Sequence, residues 1–165
     1  MLFRSGAMRR SSSSPRPIIA EIIAVGSELL LGGRTDSNSL LITEELGSLG
    51  IEVRFKSIVG DNRADIVRAL KAAVSRAKVI VMTGGLGPTV DDCTREAIAA
   101  AAGRRLARRK DAYEAMKMRL AQWGRSPNKG QFRQALIPAG ATVVSNPIGS
   151  APGFWLSWRG VMRWI

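Results

Sequence analysis

Apolar and polar positions follow two rhythms along this chain, and the changes of rhythm mark its elements. Residues 18–25, Ile-Ile-Ala-Glu-Ile-Ile-Ala-Val, form a β-branched run ending at Gly26, the pattern of a buried strand. Asp36 or Ser37 can cap a helix reaching about Leu49, with Leu41, Ile42, Leu46 and Leu49 on one face and Gly50 as its stop. Residues 51–59 alternate enough for a second strand. A helix is expected from about Arg63 to Ala77, where Ile66, Leu70 and Val74 recur every four residues and Val67 and Ala77 widen the stripe. Residues 78–83 predict a third strand, 84–89 a loop, and 91–102 an alanine-rich helix closed by Gly103. A further helix is expected over 111–123, a turn at 127–130, and short strands over 141–145, 153–158 and 161–165. No internal repeat is visible.

Strands alternating with helices imply an α/β fold of three layers, αβα, with a mostly parallel sheet covered on both faces. Ligands of such sheets sit beyond the carboxyl ends of the strands. Residues 26–28, 60–62 and 84–92 are therefore expected on one edge. The 165 residues suit one domain over 18–165, preceded by a Ser- and Arg-rich, disordered basic tail over 1–17. That tail reads either as an extension from an upstream start codon, with Met8 as another start, or as an Arg-rich organellar presequence.

Composition narrows the chemistry. No apolar run reaches the roughly 18 residues of a membrane span, and Cys93 is the single cysteine, so a cytoplasmic, reducing setting is expected. There is no histidine. That excludes Ser-His and Cys-His triads and the commonest zinc ligand. Without an activating base, Cys93 reads as a packing residue. The formal charge of +12 raises the question of nucleic acid. Its concentration in the tail and in Arg104, Arg105, Arg108, Arg109 and Lys110, with no interleaved aromatics, argues for a solvated basic face that attracts small anions and against specific nucleic-acid binding.

The third strand feeds Gly84-Gly85-Leu86-Gly87-Pro88-Thr89 and then a helix start. Glycines let backbone N–H groups turn toward a ligand, and a helix start adds free N–H groups and the positive dipole end. The result is either a phosphate cradle or a tight strand-to-helix turn. It is neither Walker A nor the dinucleotide Gly-x-Gly-x-x-Gly. Thr89 to Asp92 fits a capping pattern. Asp91 and Asp92 are candidates both for capping and for a hard cation beside bound phosphate, magnesium preferring oxygen ligands. Asp61 after the second strand has the same two readings; Glu28 and Asn38 lie near the first strand's end.

Together these segments resemble one family. Residues 20–32, Ala-Glu-Ile-Ile-Ala-Val-Gly-Ser-Glu-Leu-Leu-Leu-Gly, are similar to the opening of the competence/damage-inducible CinA proteins, which usually carry Thr in place of Ser27. Val59-Gly60-Asp61-Asn62, Thr83 through Asp92, and Asn146 through Phe154 continue the resemblance in the same order. It implies the MoaB/Mog fold of molybdenum-cofactor proteins, which bind molybdopterin at the corresponding loop with acidic residues matching Asp61 and Asp92. It further implies a small phosphate-bearing ligand, nucleotide or pterin. Gly26, Ser27, Asn38 and Gly84 through Thr89 would bind it. Asp92 and Asp61 would hold Mg2+, and Asp92, Asp91 and Glu28 would serve hydrolysis of a nucleotide-sugar pyrophosphate such as ADP-ribose. A molybdopterin-binding domain without hydrolysis is the alternative, and an inactive subunit the third. The family normally continues with a Leu-Pro-Gly-x-Pro segment, so the chain reads as truncated there. With Trp155, Trp158 and Trp164 near its end, a homo-oligomer is expected.

Overall fold

The structure, a computed structural model, describes residues 16–158 and the backbone of 162–164. The expectation for the basic tail lies almost wholly outside the described residues. Eight strands, β1 (Ile18–Val25), β2 (Ile51–Val59), β3 (Val79–Thr83), β4 (Leu106–Arg108), β5 (Leu136–Pro138), β6 (Thr142–Val144), β7 (Gly153–Trp155) and β8 (Met162–Trp164), are interleaved among the described residues with five α-helices. These are α1 (Ser27–Leu30), α2 (Ser37–Ser48), α3 (Arg63–Arg76), α4 (Thr94–Ala102) and α5 (Lys110–Gln122); a 3-10 turn covers Gln131–Ala135.

The main sheet runs β2-β1-β3-β8-β7-β6. β2, β1, β3 and β8 are parallel, and β7 and β6 turn antiparallel at one edge. β4 and β5 form a separate antiparallel ribbon. β1 lies inside the sheet and is buried over Ala20–Val25, whereas edge strand β2 alternates between half-buried and exposed positions along its whole length. The two faces of β3 divide the core. Ile80 and Met82 join Ile66, Leu70, Ile98 and Phe154 under α3 and α4. Val79 packs with Ala20 and Leu46 on the α2 face, with Val81 at its margin. Helices on both faces of a largely parallel sheet make the three-layer α/β fold expected. Each fully buried branched side chain contributes roughly 1.5–3 kcal/mol.

Two expectations need correction. The face of α2 is only half used: Leu46 is buried and Ile42 packs beside it, but Leu41 and Leu49 are 62% and 72% exposed. The helix covers one corner of the sheet, so only its inner row reaches β1 and β3. Second, α4 begins at Thr94, three residues later than the expected start at Asp91, with Cys93 at its cap and no side-chain cap bond. The ribbon of β4 and β5 was not anticipated; three-residue strands carry too little alternation to register.

Candidate functional site

The order β2-β1-β3 brings three loops together at the carboxyl ends of adjacent strands. Ala24 pairs with Thr83, and Val25 with Val59. The segments after Val25, Val59 and Thr83 therefore meet at one edge, as the chain pattern implied.

The first two loops are tied to each other. Ser27 N–H donates to Asp61 Oδ2 at 2.8 Å, and Asp61 N–H donates to Ser27 Oγ at 3.1 Å. Gly26 N–H donates to the Val59 carbonyl at 2.9 Å. Asn62, not Asp61, caps α3, accepting from the amides of Ala64 and Asp65. Asp61 thus positions the β1 loop with one carboxylate oxygen. Glu28 folds its carboxylate back against Gly26, where a Cβ would meet it at 2.8 Å.

The third loop is held from behind. Gly84 and Gly85 have positive φ angles of 87° and 64°, and a Cβ on either would run into Val25 or Thr94. Four successive carbonyls are then taken up by the first two residues of α4. Thr94 Oγ1 donates to Gly84 O at 3.0 Å and Thr94 N–H to Gly85 O at 3.2 Å. Arg95 donates to Leu86 O at 2.5 Å and to Gly87 O at 2.9 Å. Arg133, from the 3-10 turn, donates to Thr89 O at 2.8 Å while pairing with Glu96 at 2.9 Å. With its carbonyls engaged on one side, the loop keeps the amides of Gly85 and Leu86 out of these bonds, the arrangement of an anion-binding nest. The first N–H of α4 is spent on Gly85, so the backbone of the loop, more than the helix end, is the available donor.

Asp91 and Asp92 precede α4 and do not cap it. Asp92 Oδ2 accepts from Thr89 N–H at 2.8 Å and from Thr89 Oγ1 at 2.5 Å, closing the loop on itself. This ring of bonds is why the helix starts late: it holds 89–92 in a turn. Partial burial would raise the Asp92 carboxyl, but the hydrogen bonds from Thr89 and Gly87 and the nearby Arg95 charge outweigh it and hold the group below the usual carboxylate range. Asp91 is exposed.

A depressed carboxyl stabilises the fold above its ordinary pKa and loses that contribution as pH falls through the folded value. Asp92→Asn is therefore expected to melt slightly below wild type at pH 7, by about 1 kcal/mol or less. The two curves should converge below about pH 4. Thermal melts across pH 2.5–7 (roughly that window) check this, and a constant gap throughout would count against it.

A cleft of about 250 Å³ opens beside the loop, lined by Val25, Glu28, Arg34, Asp36, Asn38 and Gly84 among others. The structure thus brings Glu28, Asn38 and Gly84 to one cavity. Gly26, Ser27 and Asp61 lie in the tie between the first two loops, and Gly87, Thr89 and Asp92 in the closed turn beyond. Pro88 backs onto Gly130, whose Cβ position lies 2.9 Å from its carbonyl. Asp36, read as a helix cap, does cap α2 through Ser39 N–H at 3.0 Å while also lining the cleft. Arg34, Thr94, Arg95 and Arg133 were not anticipated. Arg34 and Asp36 were visible as a charged pair after the first strand; the other three act only through tertiary contact.

Cys93 reaches the Asp61 carbonyl at 3.8 Å, and burial pushes its thiol up, aided by Asp61 and Glu96. It stays a protonated packing residue, as read. The basic cluster is less uniform than its sequence. Arg109 is structural, bonding the Ala141 carbonyl at 2.8 Å and Asp111. Arg108 lies over a stacked Tyr113–Phe132 pair. Aromatics therefore do sit beside the cluster, a correction: Tyr113 follows it closely in sequence and the fold adds the distant Phe132, but their faces are engaged with each other. Among the described residues no helix is long and apolar enough to cross a membrane.

Comparison with known proteins agrees with this geometry. The family described as "Probable molybdopterin binding domain" matches residues 21–164. A CinA-like protein of Koribacter versatilis is 46% identical over 136 residues, covering 82% of this chain and 33% of its own. One from Synechococcus elongatus is 45% identical over 141 residues, covering 86% and 33%. The chain spans about a third of the length of these curated relatives. Among solved structures, CinA of Thermoplasma acidophilum superposes with a TM-score of 0.82 at 31% identity, over 90% of this chain and 87% of that one. MoaB of Thermus thermophilus, at 20% identity and a TM-score of 0.60 over 89% and 79%, shares the fold. The chain belongs to the molybdopterin-binding-domain family, among its CinA-like members.

Proposed function

We propose that the glycine loop and the adjoining cleft bind a small ligand carrying a phosphate, a nucleotide or a pterin. One observation carries the reading. The carbonyls of Gly84, Gly85, Leu86, Gly87 and Thr89 are all drawn to the α4 and 3-10 side. A backbone so arranged offers N–H groups to an anion and removes the oxygens that would repel it. The neighbouring cleft, lined by Arg34, Asp36 and Asn38 among others, has polar groups for the rest of the ligand. The CinA-like segments favour a nucleotide. The MoaB relative, a molybdopterin biosynthesis enzyme by its description, favours a pterin.

A hydrolytic extension of this reading concerns a nucleotide-sugar pyrophosphate such as ADP-ribose, with magnesium as cofactor. Asp92 is held anionic and Asp61 spends only Oδ2 on Ser27. Asp61 keeps Oδ1 outside that bond, and Thr89 engages only Oδ2 of Asp92. Among the described residues no three acidic or thiol side chains converge. Carboxylates of this kind would suit a magnesium ion that keeps most of its waters and shares the ligand's phosphate, which is the usual habit of this metal. Bound there, the metal would supply charge neutralisation and a more acidic water. The chain's own part is to hold the pyrophosphate on the loop amides and to place Glu28 or Asp91 near the attacking water.

The test is a thermal-shift series with ADP-ribose, a molybdopterin precursor and adenosine, each with and without magnesium. Phosphate-bearing ligands at 100 times their Kd should stabilise the protein by about 2.7 kcal/mol, and adenosine should do little. In the hydrolytic case ADP-ribose yields AMP and ribose 5-phosphate in a magnesium-dependent reaction. Asp92→Asn should slow it by roughly two to three orders of magnitude. Equal response to adenosine and ADP-ribose would remove the phosphate site.

A further inference from the structure

Arg95 is the largest fully buried side chain among the described residues, at 0% exposure. A guanidinium is costly to bury, by several kcal/mol unless its partners are well placed. No carboxylate bonds to it directly. Its hydrogen-bond partners are the successive carbonyls of Leu86 and Gly87, at 2.5 and 2.9 Å, and its Nε has no hydrogen-bond partner. Burial lowers its pKa, with Glu96 and Asp92 working the other way. A stability role alone would be served as well by an apolar side chain of the same volume. The geometry instead matches a fork spanning two consecutive peptide units, which a planar guanidinium does and a lysine cannot.

We infer that Arg95 is a positioning residue of the phosphate nest: its guanidinium holds the Leu86 and Gly87 carbonyls and so anchors the backbone directly after the Gly85 and Leu86 amides, which meet the ligand. The inference rests on the phosphate-binding reading for its consequence, but not for its mechanism. Thr94 does the same for Gly84 and Gly85 one residue earlier, and Arg133 for Thr89 beyond. Residues on α4 and the 3-10 turn, none of them lining the cleft, thereby set the shape of the site. Arg95 holds the middle of the loop, where no other side chain reaches the carbonyls.

The experiment compares wild type, Arg95→Met and Arg95→Lys by amide 15N relaxation without ligand, and by ADP-ribose titration. Methionine keeps the volume without the fork. In Arg95→Met the order parameters of the Leu86 and Gly87 amides should fall from about 0.85 to below about 0.6, while those of β1 stay unchanged. ADP-ribose affinity should fall about tenfold or more, as when a charged hydrogen-bond pair is lost. Arg95→Lys, able to hold one carbonyl at a time, should lie between the two in both readouts. Should Arg95→Met not fold, the lysine variant alone decides by the same two measurements. A folded variant whose loop stays as ordered as wild type overturns the inference. A loosened loop in a protein whose wild type does not bind ADP-ribose upholds the positioning role and defeats the ligand reading instead.

Discussion

Gly84→Ala is expected to abolish binding of phosphate-bearing ligands and to destabilise the domain by about 3 kcal/mol. Two costs add. The residue has a φ of 87°, a left-handed conformation that costs an L side chain roughly 1–2 kcal/mol. A Cβ there would also overlap the carbonyl oxygen of Val25, the last residue of the interior strand β1. That atom belongs to a sheet and cannot yield as a surface side chain would. Relief must come from the loop, which would swing away from β1 and carry its amides out of register. Gly103 supplies the control. It is also left-handed, at 63°, closing α4, but nothing lies within 4 Å of its Cβ position. Gly103→Ala should cost about 1 kcal/mol and leave ligand affinity intact. For a domain of this size the melting temperatures should fall by about 6–12 °C and 2–4 °C respectively. Equal melting of the two variants would mean that the loop gives way easily.

Arg76→Met should lower the melting temperature by about 10 °C, and most of that loss should return in the Glu21→Gln, Arg76→Met double variant. Glu21 sits on β1 at 1% exposure, in a strand otherwise made of aliphatic residues. Its carboxylate accepts from Arg76 Nε at 2.8 Å and from the same guanidinium's second nitrogen at 2.7 Å, with Ser57 Oγ at 3.2 Å. The guanidinium lies 4.1 Å over the Phe55 ring, so one residue of α3 clasps both β1 and β2. Without Arg76 the charge is left in the sheet with a single hydroxyl for company. That uncompensated burial, more than the lost attraction, is what destabilises. Glutamine at 21 removes the charge and keeps the shape. Melting of the two single variants and the double variant measures the coupling. A double variant no more stable than Arg76→Met would show that Arg76 acts by packing on Phe55.

Much of the architecture was legible where a pattern ran long enough. β1, β2 and β3 show as apolar or alternating runs, and α3 as a four-residue repeat ended by its Asn62 cap and Arg76. The alternation of these elements is enough to imply a parallel sheet and a site at its carboxyl edge. What remained hidden is of two kinds. Three-residue strands such as β4 and β5 have no period, and their pairing joins segments about thirty residues apart. The face of α2 depends on how much of the sheet it meets, which leaves Leu41 and Leu49 exposed although their spacing suits burial.

The site divides the same way. Its glycines announce a loop because few residues other than glycine tolerate such φ values. The late start of α4 follows from Asp92 turning back to Thr89, a bond that competes with helix and cannot be ranked against it from the residues alone. That shift of three residues matters. With a start at Asp91, Arg95 falls inside the helix as an ordinary surface arginine. With a start at Thr94, Arg95 is in the first turn and faces the loop it holds.

The central claim, that the loop amides receive the ligand's phosphate, is tested most directly by a 15N–1H correlation titration of the wild-type protein with ADP-ribose and, in parallel, with adenosine. ADP-ribose is expected to shift the amides of Gly85 and Leu86 most strongly and saturably, and adenosine to leave them in place. Saturable binding of ADP-ribose with those two amides unmoved would contradict the claim.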